Sequence, residues 1–153
     1  MQFGGQIADF GVRYEVTLVN QVHMNRSVVK SEHATIRVPE LDLEIPAATQ
    51  KGSISTVEGF LSKTASGLEE LQEERRKFDP ATAAKIDEFI QKIREFIDGR
   101  RFPFTFILED PSGNSFIQNP NAPNKDTYMK VEYYARSAND YEVMGYNEDA
   151  SRT

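Results

Sequence analysis

The chain has 153 residues, a formal net charge of −6 at pH 7 and no cysteine. That length fits one domain, enough to bury roughly 70% of its unfolded surface without a covalent or metal staple. The missing cysteines exclude disulfides and thiolate metal sites within the chain and favour a cytosolic or nuclear setting, while the acidic balance argues against a general nucleic-acid or anionic-membrane binder.

Residues 1–11 are glycine-rich through Gly4, Gly5 and Gly11, without a basic-then-apolar signal pattern. They neither follow a strand nor open a helix, so they read as loop or strand entry rather than a dinucleotide loop. Tyr14, Val16 and Leu18 then alternate with Arg13, Glu15 and Thr17, the pattern of a half-buried strand. Residues 20–26 read as a connection, and Val28 and Val29 begin a short strand ending near Lys30. Ile36 and Val38 precede Pro39, and Leu41, Leu43 and Ile45 alternate with Glu40, Asp42 and Glu44. Proline removes a ladder donor, so this run reads as two short strands, or one bent at an edge, with the acidic side of the second in solvent.

From Ser53 to about Arg101 the apolar period becomes helical. Ser55 and Glu58 have capping-box spacing, and Val57, Phe60, Leu61, Thr64, Leu68 and Leu71 fall on one stripe of a helix expected to end near the charged run 72–77. Gly59 and Gly67 weaken that helix and suggest close packing or bending at both. A second helix opens at Asp79-Pro80, buries Ile86, Phe89, Ile90, Ile93 and Ile97, pairs Glu88 with Lys92 outside and stops at Gly99. The two form an antiparallel helical hairpin. Residues 53–101 carry ten acids and nine bases, so most of the negative charge lies on the β part.

Residues 104–118, FTFILEDPSGNSFIQ, combine two apolar runs around Asp110-Pro111-Ser112-Gly113, the chemistry of a type I turn. The pattern predicts a β-hairpin of central, doubly buried strands. An Asn/Pro-rich loop over 119–126 follows, then a strand over 128–136 with Met129, Val131, Tyr133 and Ala135 on one face. From Asn139 the tail turns polar and is expected to fray.

Chemistry is sparse. His23 and His33 have no partner at ligand spacing, and Asn25-Arg26-Ser27, formally a glycosylation sequon, is discounted without a secretory signal. The carboxylate pairs point to opposite strand faces or to solvent, which disfavours acid/base work. No histidine is placed to activate Ser112 or Ser115 as a nucleophile. Tyr128, Tyr133 and Tyr134 read as sheet packing. Turn chemistry does not require the whole polar set Asp110, Ser112, Asn114 and Ser115, so a partner-binding loop of Asp110, Pro111, Ser112, Gly113, Asn114 and Ser115 is a candidate site, with Asn25, Arg26 and the exposed side of the helical hairpin as further contacts.

Several stretches, GGQIADFGVRY, MNRSVVKSEHATIRVPELDLEIP, QKGSISTVEGFL, KIDEFIQKI, PFTFILEDPSGNSFIQNPNAPNKD and YYARS, together resemble the module that follows the first zinc finger in ZPR-type zinc-finger proteins. The resemblance implies a mainly β fold with an α insertion (α+β): a double-stranded β-helix, or jelly-roll-like sandwich, interrupted by an antiparallel helical hairpin at about 55–99. One domain would span 1–148, with a polar tail at 149–153. It further implies a non-enzymatic interaction domain of a chaperone for translation elongation factor 1-alpha, cytoplasmic and also nuclear, monomeric, with no nucleic-acid or membrane partner. No cofactor is expected in this chain; zinc belongs to a four-cysteine finger expected immediately before Gln2. The alternatives are a cupin-like small-ligand or metal-dependent enzyme domain and a passive scaffold for that finger.

Overall fold

The computed structural model describes residues 8–47 and 52–144. Gly4, Gly5 and the tail at 149–153 lie outside these residues. The strands are β1 (Gly11–Leu18), β2 (Ser27–Lys30), β3 (Thr35–Val38), β4 (Leu43–Ile45), β5 (Ser53–Thr56), β6 (Phe104–Asp110), β7 (Phe116–Ile117) and β8 (Met129–Tyr134); the helices are α1 (Val57–Glu69), α2 (Gln72–Phe78), α3 (Pro80–Ile97) and α4 (Ala138–Val143). One antiparallel sheet has the order β4-β3-β6-β1-β8 and the other β5-β2-β7. Val12, Tyr14, Val16, Leu18, Ile36, Phe106 and Leu108 of the larger sheet share one apolar core with Val28 and Ile117 of the smaller.

Strand parity explains this core. Val12, Tyr14, Val16 and Leu18 sit at alternate positions of β1, facing inward, while Arg13 on the outer face pairs with Glu15 at 3.2 Å and Glu109 at 3.5 Å. β6 is central and buries Phe104, Phe106, Ile107 and Leu108. Each fully buried phenylalanine is worth about 1.5–3 kcal/mol relative to exposure. Pro39 divides β3 from β4 through a short 3₁₀ turn, and Glu40, Asp42 and Glu44 face solvent.

The hairpin expected over 104–118 does not form. The turn is present, with Gly113 N donating to Asp110 O at 3.1 Å, but β6 pairs with β1 and β3, whereas β7 pairs with β2 in the other sheet. The turn is a corner between sheets. Local chemistry specifies a chain reversal; it does not specify which edge receives the exit strand.

The first helix of the insertion begins one residue later than the Ser55 capping box suggests. Ser53–Thr56 is a strand on β2, and Thr56 rather than Ser55 caps α1, its Oγ1 accepting from Gly59 N at 3.0 Å. α1 ends at Glu69, near the charged run as expected, and the run itself forms a separate short helix, α2. Gln72 is its buried residue, donating from Nε2 to Ala83 O at 2.9 Å and Asp87 Oδ1 at 2.7 Å. α3 starts as expected, with Asp79 Oδ1 accepting from Thr82 N at 3.2 Å and Pro80 in the first turn. It ends in a Schellman pattern at Gly99 (φ +83°), with Arg100 N bonded to Glu95 O and Gly99 N to Phe96 O. Phe60, Leu61 and Ala65 of α1 and Ile90, Ile93 and Phe96 of α3 join the sheet core, where Phe96 meets Phe104 edge-on at 4.9 Å. The ion pairs on the insertion are Arg94–Glu69, Arg76–Asp87 and Arg101–Glu95.

The two α1 glycines differ. A Cβ at Gly59 would sit 2.0 Å from Ser55 Oγ, a real close approach, whereas one at Gly67 would meet nothing within 4 Å. Gly67→Ala is therefore expected to stabilise the protein by about 0.5–1 kcal/mol, read as a higher urea midpoint at unchanged slope. At the C-terminal end, Ser137 and Asp140 form a reciprocal capping box, so residues 138–143 are helical where fraying was expected.

Candidate functional site

Two buried polar clusters contain most of the residues singled out from the sequence. The first is built at the end of β6. Asp110 is fully buried; its Oδ1 accepts from Ser112 N at 2.8 Å and Ser112 Oγ at 2.6 Å, and its Oδ2 from Ser31 Oγ at 2.7 Å and Ser115 Oγ at 2.5 Å. Ser31 follows β2, and its N–H donates to Ser115 Oγ at 3.0 Å. The carboxylate thus joins the end of a strand in one sheet to the end of a strand in the other.

The carbonyls of the turn are also taken. Arg136 donates to Pro111 O at 2.7 Å and to Ala8 O, and Ala8 N donates to Ser112 O at 2.8 Å. The segment preceding β1 lies over the turn so closely that a Cβ at Gly113 (φ +79°) would be 2.2 Å from Phe10 O. Gly113→Ala is expected to cost about 2–3 kcal/mol, measured as a loss in urea midpoint, because it combines backbone strain with a clash against backbone.

Lys30, one strand position before Ser31, is fully buried, with Nζ donating to Ser31 O at 3.3 Å. Burial lowers the pKa of its ammonium, opposed by the charge of Asp110. Burial would raise the Asp110 pKa, but the hydroxyls of Ser112, Ser115 and Ser31 and the Ser112 N–H outweigh it, leaving the carboxyl below its usual range.

The second cluster centres on Arg26. Its guanidinium makes a two-pronged contact with Asp126, Nη1 to Oδ2 at 2.5 Å and Nη2 to Oδ1 at 3.1 Å, and Nη1 also donates to Gln118 O at 2.9 Å. Both side chains are only 3% exposed. Asp126 Oδ1 also accepts from Tyr128 N at 2.9 Å, so the pair pins the 119–128 loop to the entry of β2. Burial opposes ionisation of Asp126, yet the bonds from Arg26 and Tyr128 hold its pKa below the usual carboxylate range. His23 packs against Tyr128 with ring centroids 4.7 Å apart and planes tilted by 55°, and its Nδ1 accepts from Val19 N at 3.1 Å. Burial first, then the Arg26 charge, lower its pKa, so the neutral imidazole is favoured.

The eight residues proposed from sequence therefore divide. Arg26, Asp110, Ser112 and Ser115 are buried, Pro111 and Gly113 are partly covered, and Asn25 and Asn114 face solvent. Sequence reasoning missed Lys30, Ser31, Asp126, Arg136 and the covering segment at Ala8. Lys30 carried one usable signal: it shares strand parity with Val28, which points it inward.

Clefts on the exposed surface include one of about 160 Å³ around Val22, Asn25 and Pro120 and one of about 640 Å³ beside α3, lined by Lys85, Phe89, Lys92, Glu95 and Arg101. Leu71 precedes α2 as its N-cap and Phe78 ends it, both exposed, Phe78 to 85%. Among the described residues no group of three or more His, Cys, Asp or Glu converges to hold a metal, and no helix is long and apolar enough to cross a membrane.

Residues 22–146 match the family model described as the ZPR1 jelly-roll domain. The chain is 48% identical over 150 residues to zinc finger protein ZPR1 of Mus musculus, covering 98% of this chain and 32% of that protein. It is 41% identical over 148 residues to zinc finger protein ZPR1 of Drosophila melanogaster, covering 97% and 32%. With the zinc finger chaperone zpr1 of Schizosaccharomyces pombe it shares 31% identity over 147 residues, covering 95% and 32%. The chain thus spans about a third of the length of these curated relatives. With a family match over most of its length, and two antiparallel sheets interrupted by a helical pair, this chain belongs to the ZPR1 jelly-roll domain family.

Proposed function

We propose that this domain is a non-enzymatic protein-interaction module of a ZPR1-type zinc-finger chaperone, and that its client is translation elongation factor 1-alpha during folding. The observation that carries the reading is the family membership, since a relative matched along nearly this whole chain is named a chaperone. We take residues 1–148 as one domain. Zinc would be held by cysteines of a finger elsewhere in such a protein, because this chain has none. A cytoplasmic location, with access to the nucleus, goes with this role.

The contact surface we favour is the tip of the helical insertion, where Leu71 and Phe78 present apolar area to solvent, with Asn25 and Asn114 as further exposed candidates. The buried members of the two polar clusters act through rigidity, holding the sheets and the 119–128 loop in place.

The test is the affinity of purified elongation factor 1-alpha, captured while refolding from denaturant, for this chain alone and for a finger-linked form. Both are expected to bind, the finger-linked form more tightly, and Phe78→Ser is expected to weaken binding about tenfold at unchanged Tm. Binding by neither form would refute the proposal, and binding by the finger-linked form alone would reduce the domain to a passive scaffold.

A further inference from the structure

β8 ends the strand order of the larger sheet, a six-residue strand with no proline, and among the described residues no strand pairs with its other side. Thr17 N donates to Tyr128 O at 2.8 Å, which fixes the phase of the β1–β8 ladder. Lys130, Glu132 and Tyr134 therefore exchange backbone bonds with β1, whereas Val131 and Tyr133 turn their N–H and C=O groups, and Met129 its C=O, to the edge; Met129 N donates to Asp126 O at 3.5 Å. The side chains of these last three lie on the core side, opposite Val16, Tyr14 and Val12. Even so, Val131 is 38% and Tyr133 70% exposed, because the smaller sheet ends at β7.

We propose that a second copy of this chain pairs antiparallel with β8 across a two-fold axis at Val131. The strand sequence is self-complementary in that register alone among those centred on an outward-facing backbone position. Met129 meets Tyr133 of the second copy, Val131 meets its own equivalent, and Lys130 meets Glu132, twice by symmetry. The bonds of the Val131 pair, and those from Tyr133 N to Met129 O of the second copy, close on outward backbone groups, while Met129 N keeps its bond to Asp126 O. The Lys–Glu pairs fall at the closer, non-hydrogen-bonded positions on the outer face, where opposite charges stabilise and like charges destabilise. The pairing also covers the exposed apolar side of Val131 and Tyr133. This replaces the monomer expected from the sequence, and it stands independently of the chaperone reading.

Sedimentation velocity of the whole chain tests the proposal. The expected result is reversible conversion from monomer at about 1 µM to dimer at about 1 mM. Lys130→Glu and Glu132→Lys should each weaken the dimer at least about tenfold, and an equimolar mixture of the two should recover it, since each reversed charge then faces its opposite. Should either reversal disturb the fold through its β1 neighbours Glu15 and Arg13, Val131→Pro serves instead, because it removes an edge N–H that β1 does not use. A chain monomeric throughout this range, a dimer indifferent to both reversals and to Val131→Pro, or a mixture that fails to reassociate would overturn the proposal. So would finding the edge occupied only by a different protein.

Discussion

Replacing Asp110 with alanine is expected to lower the unfolding free energy by about 3–5 kcal/mol, a large fraction of the stability of a domain this size. The substitution removes the common acceptor of Ser31, Ser112 and Ser115, all at the junction of the two sheets, and leaves the buried Lys30 without its nearby opposing charge. Asp110→Asn should cost less, since one acceptor oxygen survives, yet more than a surface change. Lys30→Met should be nearly neutral or stabilising, because the ammonium is desolvated while the carboxylate keeps its four donors. The pH dependence has a definite sign. The Asp110 pKa is depressed in the folded state, so its contribution is complete above the unfolded carboxyl value of about 4 and is lost as pH falls through the folded value. Urea titrations at neutral pH and at acid pH should therefore show the gap between wild type and Asp110→Asn narrowing on acidification.

Breaking the Arg26–Asp126 pair from one side is the other large effect. Arg26→Met or Asp126→Leu alone should each cost about 3–5 kcal/mol, because each leaves a buried charge without its counter-ion. The double replacement should cost much less than the sum, the pair's desolvation being relieved along with its attraction. Asp126 is also depressed, so this contribution too is present above about pH 4 and lost on acidification. The stability of the four proteins in a double-mutant cycle, with hydrogen exchange in the 119–128 loop, checks both the energy and its location.

The elements dictated by local physics were legible in the residues. Asp79-Pro80 and Gly99 bracket α3, and the parity of Tyr14, Val16 and Leu18 gives the buried face of β1. Pairing across the chain was not legible. The turn at 110–113 looks the same whether the next strand returns to its own sheet or crosses to β2, and Arg26 and Asp126 meet across 100 residues of sequence. Thr56 displaced Ser55 as helix cap because β2 recruits Ser53–Thr56 as a strand, a tertiary choice between two adjacent hydroxyls. The same holds for the candidate site. A polar tip suggested recognition, but the Ala8–Phe10 segment and Arg136 cover it, and nothing near the tip in sequence announces that cover.

The polar corner joins the two sheets through Asp110, and we propose that recognition belongs to the exposed face of the helical insertion. Amide hydrogen exchange of this domain, linked to a zinc finger, with and without purified elongation factor 1-alpha, tests it most directly. Residues 110–115 are expected to be strongly protected in the free protein and unchanged by the proposed client, with new protection appearing in α2 around Phe78. Rapid exchange at 110–115 in the free protein, with client-dependent protection confined to that turn, would contradict it.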